Sequence, residues 1–208
     1  ATEKAGIIKK NTVIISGDEN EKVKSIIIKK AAENNSDWVD ATLINVELPS
    51  DLKGNYQQKN IKVVLALIDE LRNLGIEIPQ EKIKSGLLNV QQNTGFIGRW
   101  FEFSKDPLII CDTGHNQAGL EEVFAQLNSI PKFKHIILGF VKDKKIDEVL
   151  KILPENSTFY FAKPYLNRGL HPSFYEDQLK ESKINYKIFD EVNGAYLSAK
   201  QNLKNGEM

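Results

Sequence analysis

The stretch from Asp112 to Asn116, Asp-Thr-Gly-His-Asn, holds the densest group of side chains that could do chemistry. It follows the apolar run 108–111, which is typical of a buried strand, and precedes a helical segment. Open α/β folds place ligands where strands end and helices begin, and helix N-termini favour anions. Asp112 could accept a ribose hydroxyl there, while His115 and Asn116 could orient polar substrate groups. Asp112 or Asn116 could equally cap the helix, and the residues alone leave both interpretations open.

A second candidate is the amide pair Gln57 and Asn60 in the first turn of a long predicted helix, residues 55–74. Residues three apart share one face of a helix. Two amides presented together could read the edge of a base. They could also satisfy backbone N–H groups that lack partners at the helix start.

A third candidate is Arg99, which follows the turn 95–98. A guanidinium fork suits phosphate oxygens. An arginine between two structural units could instead form a salt bridge that joins them.

The sequence lacks the residue patterns of a phosphate loop, a zinc site and an internal disulfide. The chain contains no Gly-x-x-x-x-Gly-Lys-Ser/Thr phosphate loop. Its histidines, His115, His135 and His171, lack the spacing of a zinc site, and its one cysteine cannot form an internal disulfide. We therefore expect no zinc centre.

Alternating apolar and helical segments must position these candidates. Before Trp100, strands are predicted at 11–15 and 38–46 and helices at 19–34, 55–74 and 79–88. After it, four β–α units predict an α/β fold with a parallel sheet and helices on both faces. The four strands are expected at 108–111, 136–138, 158–161 and 186–189. We expect one unit at 1–98, a boundary between Gly98 and Asp106, and a second unit at 106–208.

Composition limits the partners. The 28 basic residues balance the 28 acidic ones and are spread along the chain, which argues against nucleic-acid binding. No apolar run reaches the ~18 residues of a membrane helix, and the first residues do not resemble a signal peptide. We expect a cytoplasmic protein.

The order of five motifs is specific. The motifs are Glu3-Lys4-Ala5-Gly6-Ile7, Gly54-x-x-Gln57-x-x-Asn60, Gly98-Arg99-Trp100, Asp112-x-x-His115-Asn116 and Gly139-Phe140-Val141-Lys142-Asp143-Lys144. Together they resemble the C-terminal half of the folylpolyglutamate synthase family, including its bifunctional dihydrofolate synthases, in the Mur ligase superfamily. The family usually has Asp-Gly-Ala-His-Asn where this chain has Asp-Thr-Gly-His-Asn, and Asp-Lys-Asp where this chain has Asp-Lys-Lys.

The resemblance implies a magnesium- and ATP-dependent ligase of folate biosynthesis and one-carbon metabolism. Such enzymes phosphorylate a folate or dihydropteroate carboxylate and let L-glutamate attack the acyl phosphate. It implies that Asn60 reads adenine with support from Gln57, that Arg99 reaches the phosphates, and that Asp112 holds the ribose.

For the reaction centre, the resemblance implies that His115 and Asn116 orient the phosphate or the incoming glutamate. It implies that Lys4 is a lysine whose carbamate helps to bind a second Mg²⁺ in relatives. We expect Lys4 to be unmodified in this chain, because an exposed lysine is almost wholly protonated near neutral pH and reacts poorly with CO₂. Across the hinge, we expect Asn60 and Arg99, from the first unit, to face the 112–116 stretch over an open cleft.

The implied fold is a truncated Mur-ligase-like central domain, 1–98, followed by a Rossmann-like C-terminal domain, 106–208, without its last strand and helix. We expect this piece to be a monomer and inactive by itself. Two alternatives remain: another Mur-type peptide ligase acting on peptidoglycan precursors, and a non-catalytic Rossmann-like binding module.

Overall fold

The computed structural model describes residues 2–142 and 145–208. The chain divides into two compact units, Ala1–Ile97 and Gly98–Met208. Within the described residues, no helix combines the length and the apolar character that a bilayer crossing requires.

The first unit contains a β–α–β unit with two parallel strands. Its elements are α1 (Thr2–Ala5), β1 (Ile14–Ser16), α2 (Glu21–Glu33), β2 (Trp38–Asp40), α3 (Gln57–Asn73), α4 (Gln80–Leu88) and α5 (Val90–Thr94). Strands β1 and β2 pair in parallel, from Ile14 opposite Trp38 to Ser16 opposite Asp40. The crossover through α2 makes this parallel pairing possible, because parallel strands need a long connection.

The long predicted helix is confirmed as α3, and its apolar face forms the core of this unit. The buried residues of this core are Ile61, Ile83 and Leu87, with Leu48, Leu65, Ile68 and Ile78 packed against them. Gly75, with φ of 84°, follows the end of α3 in the left-handed conformation that glycine adopts without strain. Helical periodicity in the sequence therefore identified the helix.

The predicted strand at 38–46 is wrong after Asp40. The Asp40 carboxylate accepts hydrogen bonds from the backbone N–H of Thr42, at 2.9 Å, and from its hydroxyl, at 2.6 Å. These bonds turn the chain into the short 3₁₀ helix Ala41–Leu43. An aspartate side chain that bonds the backbone two residues ahead competes with strand pairing, and here it ends β2.

The second unit is built around a three-stranded parallel sheet. Its strands are β3 (Phe101–Lys105), β4 (Leu108–Cys111), β5 (Lys134–Leu138), β6 (Phe140–Val141), β7 (Ser157–Ala162), β8 (Gly169–Leu170) and β9 (Tyr186–Phe189). Its helices are α6 (Gln117–Asn128), α7 (Ile146–Leu150), α8 (Glu176–Glu181) and α9 (Val192–Asn202). The parallel sheet has the strand order β5-β7-β9. Strand β3 pairs antiparallel with β4, and β6 pairs antiparallel with β8.

The prediction of four parallel strands in this unit is wrong for the first of them. Strand β4 forms at the predicted residues, but it pairs antiparallel with β3, from Phe101 opposite Cys111 to Lys105 opposite Leu108. A two-residue connection brings these strands together, so the local hairpin forms easily. The expected boundary segment is consequently a strand of the second unit. Cys111, predicted to be buried, is exposed.

The other three predicted strands are confirmed, and the central strand β7 carries the core. Residues 159–162 are at most 2% exposed. Tyr160 packs against Ala195 of α9, whereas the ring of Phe161 contacts Tyr175, the last residue of a short 3₁₀ helix. Alternate residues of a strand point to opposite faces, so both faces of this sheet are covered.

Candidate functional site

The first unit contains a cavity of about 360 Å³ beside the carboxyl end of β1. This volume lies within the range of small-molecule sites. Its polar lining comes from α1, from the end of β1 and the turn after it, and from the start of α3: Lys4, Ser16, Asp18, Lys59 and Asn60. The position agrees with the rule that α/β folds bind ligands at the carboxyl ends of their strands.

The amides of Gln57 and Asn60 are hydrogen-bonded to each other. Asn60 Nδ2 donates to Gln57 Oε1 at 2.8 Å, and Gln57 is only 5% exposed. Neither amide caps α3, which has no side-chain cap at its start. The buried glutamine therefore holds the amide of Asn60 at the cavity wall. The Asn60 oxygen and its second N–H form an acceptor–donor pair of the kind that recognises adenine.

Lys4 and Asp18 are the residues of this cavity that bear on a metal ion. An unmodified lysine offers only donors and a positive charge, and among the lining residues the carboxylate comes from Asp18. Within the described part of the chain, no three His, Cys, Asp or Glu side chains converge as a metal site. Magnesium needs oxygen ligands, so of these two residues only the Asp18 carboxylate could bind it while Lys4 is unmodified.

In the second unit, Asp112 joins two loop segments. Its Oδ1 accepts the backbone N–H of Gly114 and its Oδ2 accepts that of Trp100, both at 2.7 Å. The interpretation of Asp112 as the cap of the following helix is therefore wrong. Both oxygens of this carboxylate therefore hold the loop in place.

Asn116 is the residue that caps α6. Its Oδ1 accepts the backbone N–H of Gly119 at 2.8 Å. The capping alternative therefore describes Asn116, whose amide N–H groups remain as donors. A role for Asn116 in the reaction stays a prediction.

His115 is exposed beside this cap, and its ring is oriented by the loop. Nδ1 lies 3.1 Å from the carbonyl oxygen of Thr113. A carbonyl only accepts, so Nδ1 donates and the neutral ring keeps Nε2 as a proton acceptor. The loop thus sets the tautomer that a base or a hydrogen-bond acceptor requires.

Arg99 lies in the same unit as Asp112, not in the first unit as we expected. Its Nη1 donates to Thr113 Oγ1, and that hydroxyl donates to the carbonyl oxygen of Gly98 at 2.8 Å. This bond of Arg99 goes to a hydroxyl rather than to a carboxylate, which does not support the salt-bridge alternative. A guanidinium has five donors, so it can also bind an anion.

The structure thus gathers the predicted residues into two sets. Gln57 positions Asn60, which shares a cavity with Lys4, whereas Arg99, Asp112 and His115 meet around Thr113. Whether Asn60 faces the second set stays a prediction. The motif residues Asp143 and Lys144 lie outside the described residues.

Sequence reasoning missed three polar residues of the first-unit cavity: Ser16, Asp18 and Lys59. The signal that could have found the first two is a Ser-Gly-Asp turn directly after a predicted strand. It also missed Thr113, whose hydroxyl joins Arg99 to the loop.

Comparison with known proteins gives a family match and distant relatives. Residues 98–208 match the family described as "Mur ligase, glutamate ligase domain". The chain is 26% identical over 156 residues to a probable bifunctional folylpolyglutamate synthase/dihydropteroate synthase of Haloferax volcanii, covering 74% of this chain and 16% of that protein. It is 26% identical over 173 residues to a dihydrofolate synthase/folylpolyglutamate synthase of Buchnera aphidicola, covering 74% and 38%.

Solved structures share the fold. E. coli FolC in complex with ADP matches with a TM-score of 0.74 at 24% identity, over 99% of this chain and 51% of that one. The bifunctional folylpolyglutamate synthase/dihydrofolate synthase of Yersinia pestis, complexed with AMPPNP and Mn ion, matches with a TM-score of 0.79 at 22% identity, over 99% and 51%.

This chain spans about half the length of those solved chains and less of the curated relatives. The family match covers more than half of this chain, including the 112–116 loop and Arg99. The chain therefore belongs to the Mur ligase family and carries its glutamate ligase domain in residues 98–208.

Proposed function

We propose that this chain is part of an ATP-dependent ligase that adds L-glutamate to folate or dihydropteroate. The observation that carries the proposal is the match of residues 98–208 to a glutamate ligase domain. The names of both curated relatives include folylpolyglutamate synthase, which supports folate as the acceptor class. E. coli FolC has been solved with DHPP and ADP, which agrees with a pterin and a nucleotide as substrates.

Three residues bind the nucleotide in this proposal: Asn60, Asp112 and Arg99. Asn60 pairs with the adenine edge, and the buried Gln57 stops its amide from rotating away. Asp112 accepts a ribose hydroxyl through its carboxylate. Arg99 donates to phosphate oxygens with the N–H groups that Thr113 does not use.

The reaction proceeds in two steps through an acyl phosphate. The substrate carboxylate attacks the γ-phosphorus of ATP and ADP leaves. The glutamate amine then attacks the acyl carbon, phosphate leaves, and the amine nitrogen loses a proton. His115 Nε2 can accept that proton, because Nδ1 is committed to the Thr113 carbonyl. The amide N–H groups of Asn116 orient the glutamate or the phosphate.

A divalent metal belongs to the proposal only conditionally. The unmodified lining of the first-unit cavity offers a metal ion one carboxylate, that of Asp18, so we assign no reaction step to the metal. If Lys4 is carbamylated in the whole enzyme, its carboxylate becomes an oxygen ligand for Mg²⁺. The Yersinia relative has been solved with Mn ion, which supports a divalent metal in the intact enzyme.

The test uses the full-length protein that contains this chain. Purified protein is incubated with ATP, L-glutamate and either folate or dihydropteroate, and glutamylated product and ADP are measured together. We expect equal amounts of both products, and no product from the 208-residue chain by itself. Turnover of UDP-muramoyl substrates instead of folates would identify the protein as another Mur ligase. If ATP is not consumed with any of these acceptors, the alternative of a non-catalytic binding module is favoured.

One variant probes the chemical step. We expect His115→Ala to lower kcat more than it raises KM for ATP, because its Nε2 acts on the reacting atoms. Asp177→Ala is the matched control, since this side chain is 97% exposed and contacts Lys180 at 3.5 Å. Wild-type turnover in His115→Ala would refute the role of this histidine.

A further inference from the structure

The second unit has a larger cavity whose lining shares no residue with the 112–116 loop. It measures about 700 Å³ and is lined by residues between 128 and 134 and between 151 and 156. Lys134 is the first residue of β5, and Asn156 directly precedes β7. The cavity therefore lies at the amino-terminal edge of the parallel sheet, whereas α/β folds bind substrates at the carboxyl edge.

Lys134 gives this cavity a buried positive charge. The residue is 5% exposed, and its Nζ donates to the carbonyl oxygens of Ile130, at 3.1 Å, and Lys132, at 2.8 Å. An ammonium has three donors, and among the described residues no acceptor for the third lies within hydrogen-bonding distance. Nor does a described carboxylate lie within 4 Å of it.

A buried charge without a counter-charge is costly, and buried charges in proteins are normally paired. The two carbonyl dipoles stabilise the ammonium of Lys134 but do not neutralise it. A negatively charged group entering the cavity would supply the missing partner. Because Lys134 lines the cavity, its ammonium is the candidate contact for such an anion.

The rest of the lining adds to the positive field. Lys132 and Lys151 also line the cavity and are exposed, while the described acidic residue in the lining is Glu155. Three lysines against one glutamate leave the cavity positive, although the whole chain is neutral.

Apolar side chains complete the lining and limit the kind of anion. Phe133 and Ile152 line the same cavity as the lysines. Small-molecule sites combine such apolar surface with a few polar groups that fix the orientation of the ligand. We propose that this cavity is a second ligand site, which binds a small organic anion through a phosphate or carboxylate paired with Lys134 and an apolar body against Phe133 and Ile152.

Isothermal titration calorimetry on the 208-residue chain at low salt tests the proposal. The probes are phenyl phosphate, benzoate, inorganic phosphate and phenol. We expect one saturable site for phenyl phosphate or benzoate, at least fivefold weaker binding of inorganic phosphate, and no binding of phenol. The ratio of the phenyl phosphate and benzoate affinities decides between a phosphate and a carboxylate. Because no ligase substrate is present, failure of this test would not bear on the proposed function.

Variants locate the binding. We expect Lys134→Met, which keeps the length of the side chain, to weaken binding at least tenfold, and Lys151→Gln to weaken it two- to fivefold. Lys200→Gln on the exposed surface of α9 is the matched control and should bind like the wild type.

The proposal is overturned if no anion binds saturably to the wild type. It is also overturned if Lys134→Met, folded by circular dichroism, binds the probe with unchanged affinity. If Lys134→Met does not fold, the double variant Lys132→Gln/Lys151→Gln decides in its place. Both of its positions are exposed, and a loss of less than threefold would refute the site.

Discussion

The double role of the Asp112 carboxylate leads to a stability prediction. It accepts the backbone N–H groups of Trp100 and Gly114, so Asp112→Ala removes both acceptors at once. A change in the free energy of unfolding should therefore accompany any change in nucleotide binding.

The magnitude follows from the burial of the two donors. Trp100 is 4% exposed, so its N–H cannot regain a water molecule, and losing its charged acceptor costs about 2 kcal/mol. Gly114 is half-buried and partly rehydrated, which reduces its cost to about 1 kcal/mol. The expected loss in the free energy of unfolding is about 3 kcal/mol.

Urea unfolding followed by tryptophan fluorescence measures this loss. A Trp38→Phe background leaves Trp100 as the reporter, and it removes no hydrogen bond because Trp38 Nε1 has no recorded partner. The midpoint should fall with little change in the m-value. Asp177→Ala is the control, because an exposed ion pair contributes at most about 1 kcal/mol.

One result would refute this reasoning. If Asp112→Ala unfolds within about 0.5 kcal/mol of the background protein, the carboxylate does not bond both loop segments in solution. A loss as small as that of the control would lead to the same conclusion.

Three further predictions concern other contacts. In the full-length protein, Gln57→Leu should raise KM for ATP several-fold with little change in kcat in steady-state kinetics. The reason is that the amide of Asn60, to which we assign adenine recognition in the proposed function, loses its support. Gly98→Ala should lower the free energy of unfolding by about 1–2 kcal/mol, because φ at this residue is 92° and the added Cβ would lie 2.7 Å from the Thr113 methyl group. Gly86→Ala should instead raise the free energy of unfolding by about 0.5–1 kcal/mol in the same denaturant titration, because Gly86 lies in a helix and its added Cβ would meet no neighbouring atom. The hydrogen bond from His135 lowers the pKa of Glu207. The wild type should therefore be more stable than Glu207→Gln above the ordinary glutamate pKa, and this advantage should disappear as the pH falls through the lowered pKa. If the difference in thermal unfolding between the two proteins stays the same from pH 7 to pH 3, the prediction is contradicted.

Local patterns in the sequence were sufficient for part of the site. The periodicity of residues 55–74 predicted α3, and the three-residue spacing of Gln57 and Asn60 placed both amides on one face of its first turn. Such contacts form within one helical turn, so their geometry follows from the helix itself. The cap of α6 by Asn116 is equally local, because the bond spans three residues.

Other parts of the site depend on contacts between distant segments. Asp112 bonds Trp100 across the β3–β4 hairpin, and that hairpin was not predicted because residues 101–105 were interpreted as a boundary. Arg99 was consequently assigned to the wrong unit. An apolar run such as 108–111 identifies a strand, but its pairing partner depends on which other segment reaches its edge.

Sequence patterns alone thus identified the family, the α/β class and the long helix. Tertiary structure decided the partner of β4, the burial of Lys134 and the bond between His135 and Glu207. Periodicity and capping arise from residues within one or two turns of each other. Strand partners and buried charges are set by segments tens of residues apart, whose contacts exist only once the chain has folded.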